Sequence, residues 1–277
     1  MEVRFSTDPI SVKRMTTEEL RKMFLIENLF VIDDIPMVYS DIDRSITGSA
    51  VPVDKTLILM ASKKEMGVEC FTERREVGII NIGKEGIIST EGKDYRMAYR
   101  DVLYIGKGKK EISFKSLNDK EPAQFYFVSY PADESFPTAH ASLKDAEFVS
   151  LGSQSGANRR TIYKYIHPNG IKSAQIVMGL TELEDGSVWN TMPPHTHHRR
   201  SEIYMYFNLG ERDLVFHIMG EPENTKHIVI RNRQAVLSPS WSVHAGVATK
   251  NYSFVWAMGG ENQLFDDMDG IELTGIA

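Results

Sequence analysis

The sequence predicts a mostly antiparallel β protein, a sandwich or barrel rather than a string of βαβ units. Two observations carry that expectation. Short runs rich in Val, Ile, Tyr and Phe recur between clusters of Gly, Asp, Asn and Pro, and helical signals are scarce. A third observation, a weak internal repetition, divides the strands between two units. The 277 residues agree with this, being enough for two domains at roughly 150 residues each or for one large β unit.

Taken in chain order, the first element is a helix. Thr16-Thr17-Glu18-Glu19-Leu20 followed by Arg21-Lys22-Met23-Phe24-Leu25 has a capping Thr and acidic residues in its first turn. Strands follow at Gly78 to Gly83, Gly86 to Gly92, Val102 to Gly106 and Gln124 to Tyr130. More are expected at Glu202 to Phe207, Leu214 to Met219, His227 to Ile230 and Tyr252 to Met258. The repetition pairs Glu73-Arg74-Arg75-Glu76, which leads into apolar strands, with His198-Arg199-Arg200-Ser201-Glu202, which does the same. Between Tyr130 and Asn158, Pro131, Pro137, Gly152 and Gly156 cluster with Ser and Asp, marking a boundary. The expected domains are 1–150 and 151–277.

Composition narrows the function. The chain carries 32 basic and 38 acidic residues, a net of −6, and has no long basic run. Such a chain is a poor partner for nucleic acid or an anionic membrane surface. Its longest apolar runs, such as Phe254 to Met258, are far too short to span a bilayer, and polar Glu2, Arg4 and Asp8 sit where a signal peptide would be apolar. The single cysteine, Cys70, excludes an intrachain disulfide and a cysteine-rich metal site. The expectation is a reduced, cytoplasmic protein that acts on a small molecule.

The chemistry concentrates in the second half. Of eight histidines none precedes His140, and three fall in Pro193-Pro194-His195-Thr196-His197-His198-Arg199-Arg200-Ser201-Glu202. In a strand, His195 and His197 share a face. Glu202 lies five residues beyond His197, the wrong parity for that face unless the chain bends between His198 and Ser201. Tyr204 and Tyr206 then follow Glu202 on the inner face. Pro239-Ser240-Trp241-Ser242-Val243-His244 ends one strand at its proline and places His244 early in the next. Taken singly, a His-x-His, a strand glutamate and a core histidine are ordinary structural residues. Together, three imidazoles and a carboxylate make a divalent-metal site with coordination positions left open. Zinc is the default ion, though iron, manganese or nickel would accept the same ligands. Only the second unit is expected to hold metal.

His-x-His-x4-Glu, then Pro-x4-His beginning 37 residues after the glutamate, resembles the paired motifs of the cupin superfamily. Gly186 and Gly210 stand near the first motif somewhat further out than is usual, and Trp241 replaces the usual glycine of the second. Longer stretches resemble the bacterial 5-keto-4-deoxyuronate isomerase family. These are Met37 to Arg44, Asn158 to Tyr165, Trp189 to Pro193 and Gly260 to Asp269, which between them span nearly the whole chain. The resemblance implies a double cupin of two β-barrel or jelly-roll domains with a few short helices. It also implies a hexamer, one Zn2+ per subunit on His195, His197, Glu202 and His244, and ketol isomerisation of an open-chain keto-uronate from pectin breakdown. His198 departs from the family pattern, which is acidic there. Its strand parity makes it a surface residue rather than a fifth ligand.

Such a reaction moves a carbonyl from C1 to C2 and needs a base. Tyr204, Tyr206, Glu261 and Lys164 are the candidates, the tyrosines being equally well explained as barrel filling and Glu261 as a loop cap. A carboxylate substrate also wants a cation. Arg199 and Arg200 adjoin the ligands, but Arg74-Arg75 recurs in the half without the histidine cluster, so both pairs read as structural. Arg159, Arg160 and Lys164 have no such counterpart and are the better substrate-binding candidates, the two arginines foremost. Two other functions fit the same ligands: an iron-dependent bicupin dioxygenase and a non-catalytic sugar-binding cupin.

Overall fold

In the computed structural model, which describes residues 1–61 and 63–277, the chain forms two compact units. Neither is a continuous half. The first comprises Met1–Arg4, Asn28–Ala146 and Tyr165–Val177, and the second Phe5–Glu27, Glu147–Lys164 and Met178–Ala277. The division into 1–150 and 151–277 therefore misplaces the early helix. Leu25 and Ile26, just after it, pair with Val236 and Ala235 at the outer edge of the second unit's large sheet. Arg21 Nη1 donates to the Val229 carbonyl at 2.8 Å. The helix itself, Thr17–Phe24, begins as expected at Thr16, with a reciprocal capping box to Glu19. Its buried face is Leu20 and Phe24.

The first unit has a seven-stranded sheet. Its order is Glu2–Arg4, Met37–Ser40, Ile46–Ala50, Phe125–Pro131, Arg75–Asn81, Val102–Ile105, Ala139–Ala141. A four-stranded sheet runs Leu57–Ile58, Ile112–Ser116, Gly86–Thr90, Lys93–Met97. All the ladders are antiparallel except Glu2–Arg4 with Met37–Ser40. The interior is closed by side chains, with Val77, Ile79, Ile112, Phe114, Phe125 and Phe127 in one apolar cluster. Phe125 and Phe114 rings lie 5.3 Å apart.

The second unit repeats the plan. Its seven-stranded sheet is ordered Glu147–Leu151, Arg160–Ile166, Val177–Leu183, Ser253–Gly260, Arg200–Phe207, Gln234–Ser238, Leu25–Ile26. The four-stranded sheet is Trp189–Asn190, Val243–Ala248, Val215–Glu221, Asn224–Ile230. His195–Thr196 pairs separately with Asp269–Gly270. Corresponding strands show what differs between the units. Arg75 opens one strand opposite Pro131, and Arg200 opens its counterpart opposite Gly260. Two residues on, the first unit has Val77 and the second Glu202. Both arginines are buried and hold backbone. Arg75 donates to the carbonyl of Ser129 at 2.9 Å, and Arg200 to that of Asp267 at 2.9 Å. The repeated Arg-Arg is thus part of each unit's frame.

Candidate metal centre

His195 is fixed by its short ladder with Asp269–Gly270. The chain then leaves strand conformation at residues 197–199, and Arg200 N closes the turn on the His197 carbonyl at 3.0 Å. This break corrects the parity, so Glu202 on Arg200–Phe207 faces the two histidines. His244, second residue of Val243–Ala248, comes from the opposite sheet. Trp241 fits the preceding turn without a left-handed backbone, which is why glycine is not required there. The turn is closed by Ser242 N on the Pro239 carbonyl at 2.9 Å.

The ligand atoms of His195, His197, Glu202 and His244 all lie within 4.8 Å of one another. Glu202 Oε2 is 3.1 Å from His197 Nε2 and 2.9 Å from His244 Nε2. His244 Nε2 is 3.1 Å from His195 Nε2. The outer nitrogens decide what this cluster is. His197 Nδ1 meets the Arg200 carbonyl at 2.9 Å, and His244 Nδ1 meets the Ser242 carbonyl at 3.2 Å. A carbonyl only accepts, so each Nδ1 carries the proton and each Nε2 turns a lone pair inward. Lone pairs and a carboxylate converging in a buried place call for a cation, and carbonyl-oriented histidines are the usual outer shell of a metal site. The residues present fit a divalent ion.

The electrostatics show the same demand for positive charge beside Glu202. Glu202 is fully enclosed, which alone would raise its pKa, yet His244 and His197 hold its carboxyl well below the usual range. Burial, then His244, pushes His195 down to about 3. Burial also pulls on His197, but Glu202 outweighs it and the pKa rises.

A cavity of about 270 Å³ opens onto His195, His197 and Glu202. Tyr204 lines it, and its hydroxyl lies 3.1 Å from Thr191 Oγ1. Thr191 has φ of 50°, a costly conformation for a β-branched residue. It is braced by Asn190, whose Nδ2 donates to Thr191 Oγ1 at 3.1 Å and whose Oδ1 accepts from Tyr252. Tyr206, two residues deeper on the same face, does not line the cavity. Its hydroxyl is hydrogen-bonded with His217 Nδ1 at 2.8 Å, and burial pushes that imidazole down to about 3.

The remaining candidates separate cleanly. Arg160 lines the cavity. Arg159 is exposed and paired with Glu184 at 3.1 Å. Lys164 is paired with Glu147 and lies 5.1 Å over the Phe265 ring, and Glu261 is exposed. None of these three lines the cavity. His198 is exposed in the turn, so His198→Ala is expected to leave metal content, measured by mass spectrometry after dialysis, nearly unchanged. Arg199 is held by Asp267 at 2.6 Å and Asp269 at 3.0 Å, and so ties down the 261–270 segment that brings Phe265 and Met268 to the cavity. Thr191, His217, Asp267 and the wall residues Trp256, Phe265 and Met268 were not singled out from sequence. Thr191, Asp267, Phe265 and Met268 belonged to the stretches Trp189 to Pro193 and Gly260 to Asp269, and His217 and Trp256 only to the expected strands Leu214 to Met219 and Tyr252 to Met258.

The profile of the KduI/IolB family matches residues 37–272. The chain is 52% identical to the 4-deoxy-L-threo-5-hexosulose-uronate ketol-isomerase of Caldicellulosiruptor bescii and 54% identical to that of Lachnoclostridium phytofermentans, over 100% of both chains in each case. Among solved structures, an IolB-like protein from Salmonella typhimurium superposes with a TM-score of 0.67 at 11% identity, covering 87% of this chain and 94% of the other. Bacillus subtilis oxalate decarboxylase, described with Mn(II) centres, gives 0.56 at 10% identity, over 79% and 70%. These two likenesses speak to the cupin-type fold alone.

Proposed function

Because the chain belongs to the KduI/IolB family, we propose that it is a ketol-isomerase converting 5-dehydro-4-deoxy-D-glucuronate to 3-deoxy-D-glycero-2,5-hexodiulosonate in uronate catabolism. The observation that carries the substrate is identity of 52% and 54% along the entire chain to relatives named for that reaction. The observation that fits the chemistry to this molecule is the three-imidazole, one-carboxylate cluster opening into a cavity.

His195, His197, Glu202 and His244 would hold one divalent ion, zinc in our reading, which when bound polarises the substrate oxygens as a Lewis acid without redox chemistry. The chain's own groups do the rest. The apolar wall of Phe254, Trp256, Met258 and Phe265 excludes water from the enediolate. Burial and the charge of Glu202 keep the Tyr204 phenol protonated. It is therefore a hydrogen-bond donor to a substrate oxygen that gains charge, and Thr191 Oγ1, 3.1 Å away, positions its hydroxyl. Of Tyr204, Tyr206, Glu261 and Lys164, Tyr204 is the one that lines the cavity, and as a protonated phenol it serves there as a donor rather than as the base. Tyr204→Phe is expected to lower kcat by about 10²-fold with little change in metal content. A fall in KM affinity alone would remove Tyr204 from the chemistry.

The enzyme is read as cytoplasmic and homo-oligomeric, a hexamer on the family resemblance. No helix among the described residues is long and apolar enough to cross a membrane. The direct test is conversion of the keto-uronate by metal-replete protein, without nicotinamide, flavin or oxygen. No conversion would overturn the isomerase reading. Deuterium at C2 should slow the reaction and partly wash out into water. Complete retention of the label at C1 would mean hydride transfer instead.

A further inference from the structure

We propose that Arg160 anchors the substrate's carboxylate and so restricts this enzyme to sugar acids, an inference that rests on the isomerase reading. Arg160 opens the strand Arg160–Ile166 and lines the same cavity as His195, His197 and Glu202. Its side chain is half-buried, and Nη1 donates to the Asn158 carbonyl at 2.9 Å. Among the described residues no carboxylate pairs with it. The neighbouring cations are all committed elsewhere: Arg159 to Glu184, Lys164 to Glu147 and Arg199 to Asp267.

A half-buried guanidinium without a counter-ion is partly desolvated, and that cost is offset when an anion arrives. The cavity around it is apolar, with Ile162, Phe254, Trp256 and Phe265 in its wall, which strengthens an ion pair formed there. Nη1 being held by backbone, the Nε–Nη2 edge is left to meet a carboxylate bidentately. In the sheet, Arg160–Ile166 lies three strands from Arg200–Phe207, a lateral distance of about 14 Å between backbones. Inward-reaching side chains close most of that gap. What is left suits an open-chain sugar acid with its carbonyl end at the histidine cluster and its carboxylate at Arg160. A neutral sugar would leave the guanidinium unpaired, which is the stronger basis for discrimination.

The test compares the keto-uronate with its methyl ester in wild type, Arg160→Gln and Arg160→Lys, each checked for metal content. For the acid, Arg160→Gln should lose about 10²-fold in kcat/KM, and Arg160→Lys about tenfold. For the ester, neither substitution should lower kcat/KM, and Arg160→Gln, which leaves no unpaired guanidinium, should equal or exceed wild type. Calorimetry with gluconate, which has a carboxylate and no aldehyde, should show at least tenfold weaker binding to Arg160→Gln. Equal losses for acid and ester, or gluconate binding untouched by the substitution, would overturn the proposal. If Arg160→Gln does not fold, the acid-to-ester ratio and gluconate binding of Arg160→Lys decide it. If wild type converts neither acid nor ester, the isomerase reading fails while gluconate binding still judges Arg160.

Discussion

Stripped of metal by a chelator, the protein is expected to isomerise the keto-uronate at least about 10³-fold more slowly, and added zinc should restore the rate. The reason lies in what surrounds the cavity. Apart from Tyr204, Thr191 and Arg160, its wall near the cluster is largely apolar, so no other group is placed to stabilise the charge on two adjacent oxygens. A neutral hydrogen bond or two contributes far less than a divalent ion in such a place. The measurement is initial rate against metal content across a titration from metal-free to fully loaded protein. Full activity in protein shown to be metal-free would sink the Lewis-acid reading. A rate restored by iron and not zinc, with oxygen consumed, would favour the dioxygenase.

The second large effect is expected for His244→Ala, which should leave the protein with little metal after dialysis. Four ligands together give an apparent binding free energy of about 10–16 kcal/mol in zinc sites, so losing one corresponds to roughly 10²–10³-fold in affinity. His244 is the ligand supplied by the other sheet, and its Nε2 faces both Glu202 and His195. Without it the ion would be held from one side only. Turnover should fall in proportion to the metal lost. Full occupancy in the variant would count against the assignment of these four ligands.

Local patterning made much of this legible beforehand. The helix over Thr17–Phe24 could be read because a capping box and an acidic first turn are short-range signals. The strands could be read from runs of β-branched and aromatic residues. His195, His197, Glu202 and His244 stood out as a set because few other uses combine those residue types at that spacing. Even the bend before Glu202 was implied, since parity would otherwise put the carboxylate on the wrong face. The turn at residues 197–199 supplies it.

Other features were settled only by tertiary structure. Consecutive strand residues point to opposite faces, so either Arg159 or Arg160 had to turn inward. Nothing local says which. The choice follows from the ladder that sets Arg160 opposite Leu151, which also lines the cavity. Tyr204 and Tyr206 share a face and differ only in depth, which depends on how far the cavity extends and on His217 reaching across from another strand. Residues 5–27 joined the second unit because Leu25 and Ile26 complete a sheet whose partner strand lies some two hundred residues along the chain. Amino-acid type and period fix what a segment is. Which long-range partner pairs with it, and hence which side chain ends at the reacting atoms, is set by packing over separations that no local pattern encodes.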